Sequence, residues 1–161
     1  MGITVESFSG DILRGNDLGI LPAWMTRALW CLFGVDAFRS RASTKEDHMK
    51  HNALSLKTQV AAWYPSYEAK LPPQQRAGMT RLLNMTMGLL GSNDFKSLIG
   101  FKAADNLHFL PFVLHLVRKH ASERRADGDV NYDALEQSGQ CLVQWLNVAN
   151  GHGGMMDPAS A

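Results

Sequence analysis

The chain carries few cysteines and few charges. Its two cysteines, Cys31 and Cys141, can supply at most one bridge in 161 residues, so no disulfide framework of the small secreted kind is available. Both lie in apolar helical patterns. Spacing alone leaves a bridge between them open, and buried free thiols in a reducing compartment are the expectation. Charged residues make up 19% of the chain against 45% hydrophobic, and 16 basic residues nearly balance 15 acidic ones, leaving a formal charge of +1. That balance gives no broad attraction to nucleic acid or acidic membranes, so any such attraction must come from local patches. The low charged fraction also favours burial of surface against partner subunits.

Long uninterrupted apolar runs are missing too. The longest, over residues 20–38, contains Arg27 and Asp36. An ionised group at membrane depth is costly, which argues against a spanning helix. The run over 107–117 is too short to span. The first residues carry Glu6, Asp11 and Asp17 and no apolar core, unlike a secretory leader, so a cytoplasmic or other intracellular assembly is expected. Met1-Gly2 begins a myristoylation pattern, but Glu6 stands where Ser or Thr is wanted.

Catalytic and cofactor signatures are absent as well. There is no His-Glu-x-x-His, no Cys-x-x-Cys and no phosphate-cradling Gly-Lys-Ser/Thr loop. Paired Glu-x-x-His segments of a di-iron bundle are missing, with Asp105-x-x-His108 the nearest approach. No histidine falls between Asn52 and Leu107, so the usual spacing of two haem-facing histidines has no match. His48 and His51 share a helical face beside Glu46 and Asp47, but two ligands without a third read as a solvated first turn. Cys141, flanked by Leu142 and Val143, reads as a core residue rather than a nucleophile. No cofactor and no enzymatic activity are expected.

What is present is helix grammar. Ser43 or Thr44 can cap a helix whose Glu46 and Asp47 reach back in a capping box. Met49, Ala53, Leu56, Val60 and Trp63 then line one face, and Pro65 is expected to close the segment at Tyr64. An earlier helix starts near Pro22 and carries Trp24, Met25, Ala28, Leu29, Leu32 and Phe33. A third is expected over about 73–90, with Met79, Leu82, Leu83, Met87 and Leu90 on one face and Gly91 at its end. A short helix follows through Phe95, Leu98 and Ile99. Another carries Leu107, Leu110, Val113, Leu114 and Val117, with Pro111 an obstacle inside it. The last starts near Asn131 and uses Tyr132, Leu135, Leu142, Trp145, Leu146 and Ala149. Trp63 and Trp145 are expected as core anchors.

The expected architecture is all-α: one domain of five or six helices over 20–150, as a bundle or orthogonal array, with an extended N-terminal arm over 1–19 and a flexible C-terminal tail over 151–161. Breakers at Gly10, Gly15, Asn16, Asp17 and Gly19 mark the arm.

Two basic clusters and one apolar helix are the candidate working surfaces. Arg118, Lys119, His120, Arg124 and Arg125 gather near a helix end, with His115 one turn earlier. Cations suit that end of a helix dipole, yet Arg124 and Arg125 continue past the last apolar residue, Val117. Arg39, Arg41, Lys45 and Lys50 form a second basic stretch. Arg118, Lys119, Arg124, Arg125, Arg39 and Arg41 are the candidate phosphate contacts. Tyr132, or Tyr64 and Tyr67, could add base stacking, but nothing in the sequence brings them near. Trp24, Trp30 and Phe33 leave the first helix apolar nearly all round, which suits a central helix or one buried between subunits. Met79, Met85 and Met87 could form an adaptable groove. The leading expectation is a non-enzymatic, self-associating structural subunit of coat, capsid or nucleoprotein type, associating through Trp24, Trp30 and Phe33 and carrying a basic surface for nucleic acid. The alternative is a protein-binding or regulatory module with a Met- and Trp-rich groove.

Overall fold

The computed structural model describes residues 19–35, 37–83, 85–86, 103–124 and 131–149. Among them are five α-helices and no strand: α1 (Leu21–Gly34), α2 (Lys45–Lys70), α3 (Pro73–Ala77), α4 (Ala103–Arg124) and α5 (Tyr132–Ala149). The all-α expectation holds. The expected arm apart from Gly19, the short helix over 92–99 and the tail over 151–161 fall outside the described residues.

Helix α4, not α1, is the central element. Phe109, Leu110, Phe112, Val113, Leu114, Leu116 and Val117 are each at most 1% exposed. They cover more than one face of a helix, so neighbours must pack on several sides. Pro111 sits inside this helix. It removes the backbone bond to the carbonyl of Leu107, and burial of the apolar residues around it offsets that loss. Helix α1 lays Met25, Ala28, Leu29 and Leu32 against the core but keeps Ala23 and Arg27 in solvent. It is therefore amphipathic, contrary to the sequence reading.

Helix packing is most extensive where α4 meets α1 and α5. Gly139 of α5 explains part of that packing. A Cβ there would lie 2.5 Å from Cζ2 of Trp24 and 3.0 Å from Cδ1 of Leu114. The Trp24 indole N–H donates to Ser138 Oγ at 2.8 Å, which fixes the ring over the glycine. At the start of α5, Asn131 Oδ1 accepts the N–H of Ala134 at 2.9 Å and caps the helix.

Helix α2 begins as its sequence predicts. Thr44 is the N-cap, its hydroxyl accepting the Asp47 N–H at 3.1 Å and donating to Asp47 Oδ2 at 2.7 Å. Ala53, Leu56 and Val60 are buried and Met49 and Trp63 half-buried. The end of α2 differs from expectation. Pro65 lies inside the helix, which continues to Lys70. Pro65 deprives only the Ala61 carbonyl of its partner, and both residues are exposed, so water can take that carbonyl. Continuing the helix buries Tyr64 and Tyr67, at 1% and 7% exposure. That packing outweighs the local preference.

Of the expected helix over 73–90, the five residues of α3 are helical among the described residues, and Met87, Leu90 and Gly91 fall outside them. Beyond Gly78 the described chain is non-helical, because α2 engages it in another way. The Tyr64 hydroxyl accepts the Leu82 N–H at 3.0 Å, and Arg81 makes a two-pronged ion pair with Glu68. Two further expectations fail in α5. Trp145 is 39% exposed, with Val143 and Leu146 buried in its place, and Cys141 is exposed rather than buried. Both cysteines are free thiols, and no described helix is long and apolar enough to cross a membrane.

Candidate functional site: a basic aromatic groove between α2 and α4

Helices α2 and α4 meet through rings rather than through close backbones. Trp63 of α2 lies 5.6 Å from Phe112 of α4, ring centre to ring centre. It stacks on Tyr67 one turn further along α2, at 4.2 Å and 17° between planes. Such large spacers hold the helices apart and leave a groove of about 430 Å³. Gln59, Ala62, Trp63, Ser66, Tyr67 and Lys70 line it from α2, and Phe112, His115, Leu116 and Lys119 from α4. The i, i+3/i+4 geometry of two facing helices accounts for both sets.

The groove is apolar at its base and positive at its rim. Phe112 and Leu116 are 0% and 1% exposed, Trp63 is half-buried, and Lys70 and Lys119 are exposed. Lys119 Nζ donates to Gln59 Oε1 across the groove at 3.4 Å. His115 records the charge most directly. Burial pushes its pKa below the ordinary 6.5, and Lys119, Lys70 and Arg118 push it further the same way. Three cations thus act on one imidazole, whose ring is 6.5 Å from Trp63. Burial raises the Tyr67 phenol to about 12, so it stays neutral at physiological pH. No carboxylate is among the described lining residues. Of the acids beside the groove, Glu68 pairs with Arg81, and Glu136 of α5 pairs with Arg118 and offsets part of its charge.

The sequence-predicted residues divide around this groove. Lys119 lines it. Arg118 acts on it electrostatically but holds Glu136 Oε1 at 3.0 Å, an oxygen that also accepts from Gln140. His120 turns into the core at 3% exposure, edge-on to Phe38 at 5.8 Å. Arg124 ends α4 and Arg125 falls outside the described residues. Arg39 and Arg41 are exposed on the α1–α2 connection and do not line the groove; Arg39 adopts a φ of 52°. Of the apolar candidates, Trp24 is engaged with α5, and Phe33 is 3% exposed within the chain's own core. Trp30 is half-buried, edge-on to Phe33 at 5.5 Å. Met85 is buried, Met79 packs against the core and Met87 falls outside the described residues; no described methionine lines this groove.

Sequence reasoning missed Trp63, Lys70 and His115 as members of one site. The signal was the pairing of an aromatic i, i+4 pair on one helix with a basic helix end on another. Elsewhere, burial raises the Cys31 thiol pKa, more than the nearby Arg27 lowers it, which disfavours a reactive thiolate. Among the described residues, no group of three or more His, Cys, Asp or Glu could hold a metal ion. Compared with known protein families, curated proteins and solved structures, the chain matches none.

Proposed function

We propose that this chain is a non-enzymatic helical subunit that binds nucleic acid along the groove between α2 and α4. The observation that carries the reading is the placement of Lys70 and Lys119 on the two helices that line one groove, together with His115 and the Trp63–Tyr67 stack. Cations meet phosphate, and the aromatic pair with Gln59 and Ser66 offers contacts to sugar or base. A net charge of +1 is no obstacle, since the positive groups are gathered at one place. Fluorescence anisotropy with a labelled RNA and a labelled DNA tests it over a salt series. Binding should weaken steeply as salt rises, because each neutralised phosphate releases counterions. Absence of binding at low salt overturns the reading.

Self-association is the second reading, of coat or nucleoprotein type. Its support moves from Trp24 and Phe33 to side chains that the chain leaves in solvent: Trp145 at 39%, Leu54 at 64% and Ile20 at 53%. Light scattering on the pure protein, before and after Trp145→Ser, tests this. A large particle that shrinks in the variant supports it, and a strict monomer at high concentration removes it.

A further inference from the structure

Nucleic acids differ in what they offer a groove of this kind. A duplex presents phosphates on its outside and keeps its base faces stacked within. A single strand presents phosphates and free base faces together. Trp63 does not stand out on the surface. It is half-buried in the wall between two helices: Tyr67 stacks on one of its faces, Tyr64, Phe112 and His115 lie around it, and a base can meet only the part of the ring that the groove leaves open. The cations Lys70 and Lys119 lie on the same groove, one from each helix. An outward-facing phosphate surface of a duplex can meet the lysines but not the indole. A splayed nucleotide can meet both.

We propose that the groove is a single-strand site, in which one unstacked base lies against Trp63 while Lys70 and Lys119 take the phosphates on either side. The proposal rests on the nucleic-acid reading above and goes further in naming the strand class and the stacking residue. Gln59 and Ser66 also line the groove from α2, and Gln59 Oε1 already accepts from Lys119; stacking on an aromatic face is open to every base, so the site is expected to tolerate sequence. The same charge could attract an acidic peptide. The aromatic wall favours a flat ring over a carboxylate side chain, and the test separates the two.

The probe is a labelled 12-mer oligothymidylate, read by anisotropy against the full chain. A blocked duplex of equal length and poly-glutamate serve as competitors. The variants are Trp63→Leu, Trp63→Phe and Lys70→Gln/Lys119→Gln, each checked for helical circular dichroism. The single strand should bind at least tenfold more tightly than the duplex, with poly-glutamate a poor competitor. Trp63→Leu should lose about tenfold or more, and Trp63→Phe should keep most of the affinity because a ring remains. The double lysine variant should lower the salt slope by about 1.4, or 0.7 for each phosphate no longer neutralised. Equal affinity for duplex and single strand, or an unchanged affinity in Trp63→Leu, overturns the single-strand site and leaves the broader nucleic-acid reading standing. Competition by poly-glutamate as strong as by unlabelled oligothymidylate also overturns it, in favour of an acidic protein partner. Failure of every nucleic acid to bind overturns both readings. If Trp63→Leu does not fold, the duplex comparison and tryptophan fluorescence decide: oligothymidylate should quench the wild-type emission and Trp63→Phe should lose that quenching, while no quenching in the wild type, or the same quenching in Trp63→Phe, overturns the stacking on Trp63.

Discussion

Asn52 is the least comfortable side chain among the described residues. It is 0% exposed, and neither its amide nitrogen nor its oxygen has a hydrogen-bond partner among them. Leaving such a group unpaired costs about 1–3 kcal/mol. Leucine has a similar volume and no polar atom. Asn52→Leu should therefore raise the urea midpoint at an unchanged slope, corresponding to a gain of about 1–3 kcal/mol. A loss would mean that the amide does find a partner. Gly139 makes the opposite case. Alanine gains about 1 kcal/mol of helix propensity over glycine. Its methyl would nevertheless meet the Trp24 ring, which its bond to Ser138 holds in place. Overpacking of this kind costs about 1–3 kcal/mol, so Gly139→Ala should be net destabilising and should disturb the near-ultraviolet signal of Trp24. A stabilised variant would mean that the ring swings clear at little cost.

At the scale of elements, the sequence was readable where structure is local. Thr44 and Asp47 announce the start of α2, and Asn131 announces α5, because capping involves residues three apart. It misled where distant residues decide. Pro65 reads as a stop only while the burial of Tyr64 and Tyr67 is invisible. The segment 79–83 has helical spacing, yet it is claimed by Tyr64 and Glu68, which lie well before it in the chain. The proline itself is open to test. Pro65 is exposed, as is the Ala61 whose carbonyl it deprives. Proline inside a helix costs about 3 kcal/mol, part of which is relieved here by solvent. Pro65→Ala should thus stabilise the protein by about 1–3 kcal/mol in urea denaturation. Destabilisation would indicate that the proline sets the path of α2 needed to seat Trp63 and Tyr67.

Across the whole molecule, that same proline explains why the groove could not be read from sequence. A helix ended at Tyr64 puts Ser66, Tyr67 and Lys70 in a loop, and half of the α2 wall of the groove is lost. Arg118 and Lys119 then look like ordinary cations at the end of a helix, with no aromatic beside them. Only the extension of α2 alongside α4 adds Tyr67 and Lys70 to the face that Trp63 already occupies, on the same groove as His115 and Lys119. The all-α class needed no such information, since most of its helices carry their own periodicity.

His115 lies where that wall meets the cations, and its ionisation reports directly on whether the groove holds an anion. The sign follows from its surroundings: burial first, then Lys119, Lys70 and Arg118, all disfavour the imidazolium. An anionic phosphate offsets the three cations, so binding should raise the pKa. By linkage, affinity should then grow as pH falls through the titration. The deciding measurement is a proton NMR titration of the His115 ring in the full chain, alone and with saturating oligothymidylate. His115 should titrate below 6.5 in the free protein and move upward when the oligonucleotide is bound. A His115 that titrates at or above 6.5 when free, or whose pKa ignores the bound oligonucleotide, would contradict a basic groove that receives phosphate.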